Sequence, residues 1–267
     1  MISRICLCGI SDTGNVRLEN QDAILLNGII ERKEIEMNLC RDGLFFNRYG
    51  LLCAVADGIG GQKGGSMASH QVLRNLAEEM FFMGNCSEYN NVHDYLVKLV
   101  QRIHQFIVRQ GEMNLHLAKM GTTLTGIYLR PEYGIFFHAG DSRLYRFRGD
   151  FLMQMTNDHV VENITAPSGV FALQGSKSGI ITNGIGGGPL AKCWLETGPI
   201  SLKQDEILIL CSDGLSDMVS VEKIEEIVSN KRQNLLQAAR DLVAAAKDGG
   251  GYDNISVILI GNQKTGR

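Results

Sequence analysis

Five aspartates in this 267-residue chain stand at the ends of strand-like runs, each beside a glycine or a small polar residue. They are Asp22 in RLENQD, Asp57 in VADGIGG, Asp141 in HAGDSR, Asp213 in ILCSDGLSD and Asp253 in GGYDNIS. Asp57 and Asp213 each follow an apolar run of about six residues and precede a glycine. An ionised carboxylate at the dry end of a strand is costly unless something cationic neutralises it. Nearby basic residues are few, Arg17 and Arg143, so five acids that converge would leave an unbalanced negative cluster. Divalent cations that prefer oxygen ligands are the natural remedy, and Mg²⁺ and Mn²⁺ take carboxylates, carbonyls and water in octahedral sets. Gly58, lacking a side chain, could then turn its carbonyl to a metal.

Competing readings of the glycine-rich stretch are weaker. A dinucleotide fingerprint counted from Gly58 puts Lys63 where the third glycine belongs, and no glycine-lysine pair precedes Ser or Thr as a phosphate loop requires. Taken singly, each aspartate also has an ordinary reading. D-G pairs are common turns, GDS could be a hairpin loop, DN at 253 could cap a turn, and Arg17 could be a surface residue. His159 in TNDHVVEN reads as lying beside a helix start capped by Asn157 or Asp158, and His70, His93, His104 and His116 read as solvated helical residues. The joint occurrence of the acids, in order, outweighs the separate readings.

The elements that must position these acids come in clusters. Strand-like runs fall at 4–10, 22–28, 50–56, 122–130, 134–139, 143–149, 206–212 and 254–260. The three between 122 and 149 are joined by PEY and GDS, too short for parallel crossovers, and are expected to form an antiparallel meander. Helical spacing appears in pairs, at 66–83 and 93–118 and again at about 221–230 and 233–247. Strand clusters alternating with helix pairs argue for antiparallel sheets covered by helices, an α+β class, and against a doubly wound sheet. The stretch 157–190, rich in Gly, Ser and Asn, reads as a surface flap. With no repeat and no proline-rich linker, residues 1–267 are read as a single domain.

Composition narrows the classes further. Hydrophobic residues make up 44% and charged ones 21%, with 26 basic against 29 acidic side chains and a net charge of −3. That balance offers no general attraction for nucleic acid or anionic membrane. No apolar run approaches a membrane span, and the start lacks a signal peptide's long apolar stretch. Seven scattered cysteines complete no zinc site and read as reduced thiols in the cytoplasm.

From SDTGNVRLENQD at 11–22 to GGYDNISVILI at 250–260, with VADGIGG, MGTTLTGIYL, FFHAGDSRLYRF, MTNDH, IITNGIGG and LILCSDGLSDMV between, the sequence resembles the PPM-type (type 2C) metal-dependent Ser/Thr protein phosphatases, bacterial branch. The resemblance implies a four-layer α-β-β-α sandwich with two central antiparallel sheets and a metal centre at one end. It implies two Mn²⁺ or Mg²⁺ ions per active site, bridged by Asp57, with the Gly58 carbonyl on one ion and Asp213 and Asp253 on the other. Asp141 looks like a ligand of a third, weaker ion that shares Asp213. Asp22 would hydrogen-bond metal-bound water and Arg17 would hold the substrate phosphate, so Asp57, Arg17 and Asp22 are expected to carry catalysis. The reaction implied is direct hydrolysis of phosphoserine or phosphothreonine by a water or hydroxide between the two ions, without a phosphoenzyme. Expected partners are phosphoproteins made by a cognate Ser/Thr kinase, with no nucleic acid and no membrane, acted on by a cytoplasmic monomer.

Three departures stand out. Ile59 occupies the position where eukaryotic members often carry a histidine, so the general acid is unassigned. Gln21 replaces a glutamate that some members place before the first motif's aspartate. Segment 28–49 matches no recognised feature. The alternatives are a catalytically inactive phosphoprotein-binding relative, disfavoured because all five acids are present, and a two-metal nuclease or nucleotidase, disfavoured for long nucleic acids by the charge balance.

Overall fold

The run LLCAVA, residues 51–56, is buried at every position, and the two faces meet different neighbours. Leu52, Ala54 and Ala56 join a core with helices, while Leu51, Cys53 and Val55 join a second core between two sheets. A strand covered on both sides needs no polar alternation, which is why its sequence reads as continuously apolar.

The computed structural model describes residues 3–60, 64–86, 88–161, 173–174, 180–188 and 191–264. The chain begins with β1 (Ser3–Asp12), β2 (Ala23–Leu26), β3 (Ile29–Glu31), β4 (Ile35–Cys40), α1 (Leu44–Tyr49), β5 (Leu51–Ala56), β6 (Gly58–Ile59), α2 (Gly64–Met83) and α3 (Tyr89–Met113). It continues with β7 (Gly121–Thr122), β8 (Leu124–Leu129), β9 (Gly134–Ala139), β10 (Arg143–Arg148), β11 (Phe151–Gln154), β12 (Val160–Val161), β13 (Leu173–Gln174), β14 (Ile180–Ile181), β15 (Ile185–Gly186) and β16 (Glu196–Pro199). It closes with β17 (Ile207–Cys211), α4 (Asp213–Ser216), α5 (Val221–Asn230), α6 (Leu235–Asp248) and β18 (Ile255–Lys264).

Two six-stranded sheets carry the fold, ordered β11-β10-β17-β18-β1-β4 and β16-β9-β8-β5-β2-β3, with antiparallel neighbours throughout. Helices α2 and α3 pack their apolar stripes on the second sheet, through residues such as Leu73, Leu76, Leu96 and Ile103. Helices α5 and α6 cover the first, through Ile224, Val228, Leu242 and Ala246. The layer between the sheets is filled by Leu7, Leu210 and Ile258 of one and Ile24, Val55 and Ile127 of the other. The result is the α-β-β-α sandwich expected from the sequence, an α+β fold. In the first sheet β1 and the central strand β18 pair along ten positions, from Ser3↔Lys264 to Asp12↔Ile255.

The expected meander is corrected at its third strand. β8 and β9 form a hairpin, but β10 leaves that sheet and pairs with β17 and β11 in the other. The GDS turn is therefore a switch between sheets, made possible by Gly140 at φ +124°, a conformation that strongly favours glycine. A β-carbon at Gly140 would also sit 2.6 Å from the Thr123 side chain.

Segment 28–49 supplies an edge strand to each sheet, β3 beside β2 and β4 beside β1, followed by α1. Residues 157–161 contain no helix; His159 leads into β12, which pairs with β14, so the helix-start reading is wrong. His104 is half-buried and accepts the Gly186 N–H at 3.1 Å, so it is not merely solvated, and His116 lies on a 3₁₀ turn. Most of the flap read at 157–190 lies outside the described residues.

Leu210 is fully buried between the sheets. Leu210→Ala should lower unfolding free energy by about 2–5 kcal/mol, read from urea denaturation at constant Mn²⁺.

Candidate metal centre

All five aspartates arrive at one end of the sandwich because antiparallel pairing puts the start of one strand beside the end of the next. Ala23 of β2 faces Ala56 of β5, so Asp22, just before β2, adjoins Asp57, just after β5. In the other sheet Arg143 faces Cys211, and Cys211 faces Val257. That register gathers Asp141, Asp213 and Asp253, which flank β10, β17 and β18. Asp57 feels the charges of Asp22, Asp213, Asp141 and Asp253 together, and Asp213 those of Asp141, Asp253, Asp217 and Asp22.

Neutral hydroxyls and amides fix the backbone around these acids. The Asp57 N–H donates to Thr123 Oγ1 at 3.0 Å, the Thr123 N–H donates to the Asp57 carbonyl at 2.9 Å, and the Thr122 hydroxyl donates to that carbonyl at 2.7 Å. Thr123 Oγ1 also lies 2.8 Å from Ser142 Oγ, linking the Asp57 strand to the turn that carries Asp141. The Ser212 hydroxyl donates to Asp22 Oδ2 at 2.8 Å while accepting the Ser256 N–H at 2.9 Å. Asn254 clamps the 13–21 loop: its amide donates to the Thr13 and Glu19 carbonyls, each at 3.0 Å, and its Oδ1 accepts the Gln21 N–H at 2.8 Å. Gly58 meets a stricter demand than a bare carbonyl. A β-carbon there would lie 2.4 Å from the Gly65 carbonyl and 2.6 Å from that of Gln21, so close packing of three chain segments requires glycine.

Burial is the main cause that raises the proton affinity of four of these carboxyls. It pushes Asp22 up to about 6 and Asp141 up to about 7, and takes Asp57 and Asp213 well above the usual carboxylate range, with neighbouring carboxylates adding to it. The two arginines relieve them only in part. Arg143 is committed to Asp158, with Nη2 to Oδ2 at 2.6 Å and Nε within 3.0 Å of both oxygens. Arg17 makes a bidentate pair with Asp253, Nε to Oδ1 at 2.9 Å and Nη2 to Oδ2 at 2.7 Å, while its side chain stays 54% exposed. Asp22 Oδ1 and Asp213 Oδ1 are buried with no hydrogen-bond donor among the described residues.

An all-oxygen cluster with buried acceptors lacking donors and too few cations suits hard divalent metals. Asp57, Gly58, Asp213, Asp253, Asp141 and Asp22 are the residues that could hold them. The structure thus brings together every acid singled out from the sequence, and puts Arg17 beside them on Asp253. Sequence reasoning missed Asp217, four residues after Asp213, whose charge bears on Asp213 and Asp141. It also missed the anchoring roles of Thr122, Thr123, Ser142, Ser212 and Asn254. MGTTLT and SDG were visible as motifs, but threonine and serine in strands carry no signal that separates packing from anchoring.

The chain is similar to known proteins over nearly its whole length. The family model described as protein phosphatase 2C matches residues 34–246. A serine/threonine phosphatase stp of Listeria innocua is 28% identical over 254 residues, covering 94% of this chain and 93% of the relative. The Streptococcus agalactiae serine/threonine phosphatase structure superposes with a TM-score of 0.78 at 25% identity, covering 97% of this chain and 100% of that one. The catalytic domain of the serine/threonine protein phosphatase PstP in complex with two manganese ions gives 0.73 at 27% identity, covering 98% and 100%.

Two outcomes follow from the geometry. Because the buried carboxyls are protonated more tightly in the folded chain, metal-free protein binds more protons folded than unfolded and loses stability as pH rises from about 4 to about 7. Melting curves in EDTA should show that fall, Mn²⁺ should reverse it, and Asp57→Asn should melt about 3–6 °C above the metal-free wild type at pH 7.5 while gaining less from Mn²⁺. Thr123→Val, which keeps the shape but removes the acceptor for the Asp57 N–H, should weaken Mn²⁺ binding about tenfold by calorimetric titration.

Proposed function

The chain belongs to the protein phosphatase 2C family, and from that premise we propose that it is a protein serine/threonine phosphatase whose centre holds two divalent cations, Mn²⁺ or Mg²⁺, on Asp57, Gly58, Asp213 and Asp253. The observation that carries this reading is the convergence of five strand-end aspartates, two of which, Asp22 and Asp213, keep a buried oxygen that no donor among the described residues satisfies. A PstP catalytic domain of the same fold, 27% identical, was solved in complex with two manganese ions. Bound there, such cations lower the pKa of a water placed for in-line attack on phosphorus and stabilise charge on the transferring phosphoryl group.

The chain's own residues supply orientation. Asp22 has Oδ2 held by Ser212, which leaves Oδ1 to accept a hydrogen bond from the attacking water. Arg17 lies at the rim of the centre, in a groove lined by Val16, Leu18, Glu19 and Gln21. Its planar fork, now on Asp253, matches two oxygens of a phosphate equally well. On the same reading Asp141 would help hold a further, weaker cation together with Asp213. The whole chain is read as one catalytic domain, since the two sheets share a single middle core. Its substrates on this reading are phosphoproteins produced by a serine/threonine kinase. No helix among the described residues is long and apolar enough to cross a membrane.

The test is hydrolysis of a phosphothreonine peptide with and without Mn²⁺. Wild type should require the metal, Asp57→Asn should lose at least 100-fold in kcat/KM (about 2.7 kcal/mol of transition-state stabilisation), and Arg17→Ala should act mainly on KM. A wild type that binds Mn²⁺ and the phosphopeptide yet hydrolyses neither it nor an aryl phosphate would mean a phosphoprotein-binding relative instead.

A further inference from the structure

Outside the metal centre, one buried side chain grips the turn that delivers Asp141. The Gly140 N–H donates to His159 Nδ1 at 3.2 Å, and the His159 N–H donates to the Gly140 carbonyl at 2.7 Å. Gly140 is the residue immediately before Asp141 and sits at φ +124°, where glycine has conformational freedom that something external must remove. His159 is itself held on every side. Asn183 Nδ2 donates to Nδ1 at 2.8 Å, Nε2 faces Glu196 Oε2 at 3.3 Å, and the ring lies against Trp194 and His138 with centroids 4.2 and 4.6 Å away. Because Nδ1 accepts from N–H groups, the ring proton belongs on Nε2, toward the Glu196 carboxylate.

We propose that His159 is a positioning residue: by holding both polar groups of Gly140 it fixes the direction in which Asp141 enters the metal centre. The proposal rests on the reading of Asp141 as a cation ligand. It follows the general pattern in which ligands are oriented by hydrogen bonds one step removed from the metal.

His138, His159 and Glu196 also offer atoms within 4.8 Å of one another, close enough for a metal site of their own. Their hydrogen bonds speak for an anchoring cluster instead. His138 Nδ1 lies 2.8 Å from Thr125 Oγ1 and its Nε2 lies 2.9 Å from the Asn157 carbonyl, so both nitrogens are engaged. His159 Nδ1 is taken by Gly140 and Asn183, and Glu196 Oε1 accepts from Asn157 Nδ2 at 2.8 Å.

Calorimetric Mn²⁺ titration of the full chain tests this, comparing His159→Phe, which keeps a ring but lacks the acceptor, with His159→Asn, which supplies an acceptor oxygen near the Nδ1 position. The weakest Mn²⁺ step should drop about tenfold in His159→Phe, recover in His159→Asn, and leave the tighter steps unchanged. In an Asp141→Asn background, His159→Phe should have no further effect, since both act on one ligand. Glu196→Ala, which frees the far edge of the ring, should weaken the same step and serves if the phenylalanine variant does not fold. A His159→Phe loss that persists without the Asp141 carboxylate, or that the asparagine fails to rescue, overturns the proposal. A Mn²⁺ or Zn²⁺ equivalent that depends on His159 and survives Asp141→Asn overturns it in favour of a metal on the histidine cluster. Wild-type binding by Asp141→Asn alone would instead sink the ligand reading on which the proposal stands.

Discussion

Asp57 sits among four other carboxylates at the mouth between two sheets, where burial and their charges raise its affinity for a proton. Arg17 compensates one acid and Arg143 is committed to Asp158. What remains is a fixed deficit of positive charge in a polar hollow. The sandwich tolerates it because the surplus is placed at the end of the layers, where small doubly charged ions can enter from solvent. A buried charge cluster of this kind is weak evidence for stability and good grounds for inferring a ligand.

The neighbouring residues convert that hollow into a site of defined shape. Thr123 ties the strand end of one sheet to the turn that leads into the other, and Ser212 joins Asp22 to the strand beyond it. These anchors are uncharged. Hydroxyls can hold backbone and carboxylate together without competing with the cations for charge. Rigidity therefore comes from neutral hydrogen bonds and attraction from the acids, two tasks divided between different residue types.

Legibility in the sequence followed the same division. Buried strands such as LLCAVA and the helical stripes were readable because period and apolarity are local properties, and the five acids were readable because each interrupts such a run. The β10 crossover was not, since a three-residue connection looks the same whether the next strand pairs with its predecessor or leaves for another sheet. β3 and β4 escaped notice because edge strands are short, and β4 alternates between partly covered and exposed residues, which weakens the apolar signal. His159 was misread because Asn and Asp before a histidine look like a helix cap, and only the tertiary structure reveals that the histidine faces inward onto Gly140. The anchoring threonines were seen as part of a motif without a role, because a strand favours threonine on either account.

The long pairing of β1 with β18 has a temporal side. These strands lie about 250 residues apart along the chain yet are neighbours in one sheet, and the loops at their shared end carry Arg17, Asp22 and Asp253. During vectorial synthesis on the ribosome, β2, β5, β8, β9 and the helices over them emerge together, with β16 the one strand of that sheet still to come. The first sheet waits for its central strand until almost the whole domain has emerged. A nascent chain therefore cannot assemble the full set of acids, and a product truncated just before Asp253 would carry most of the fold's mass while lacking the complete site.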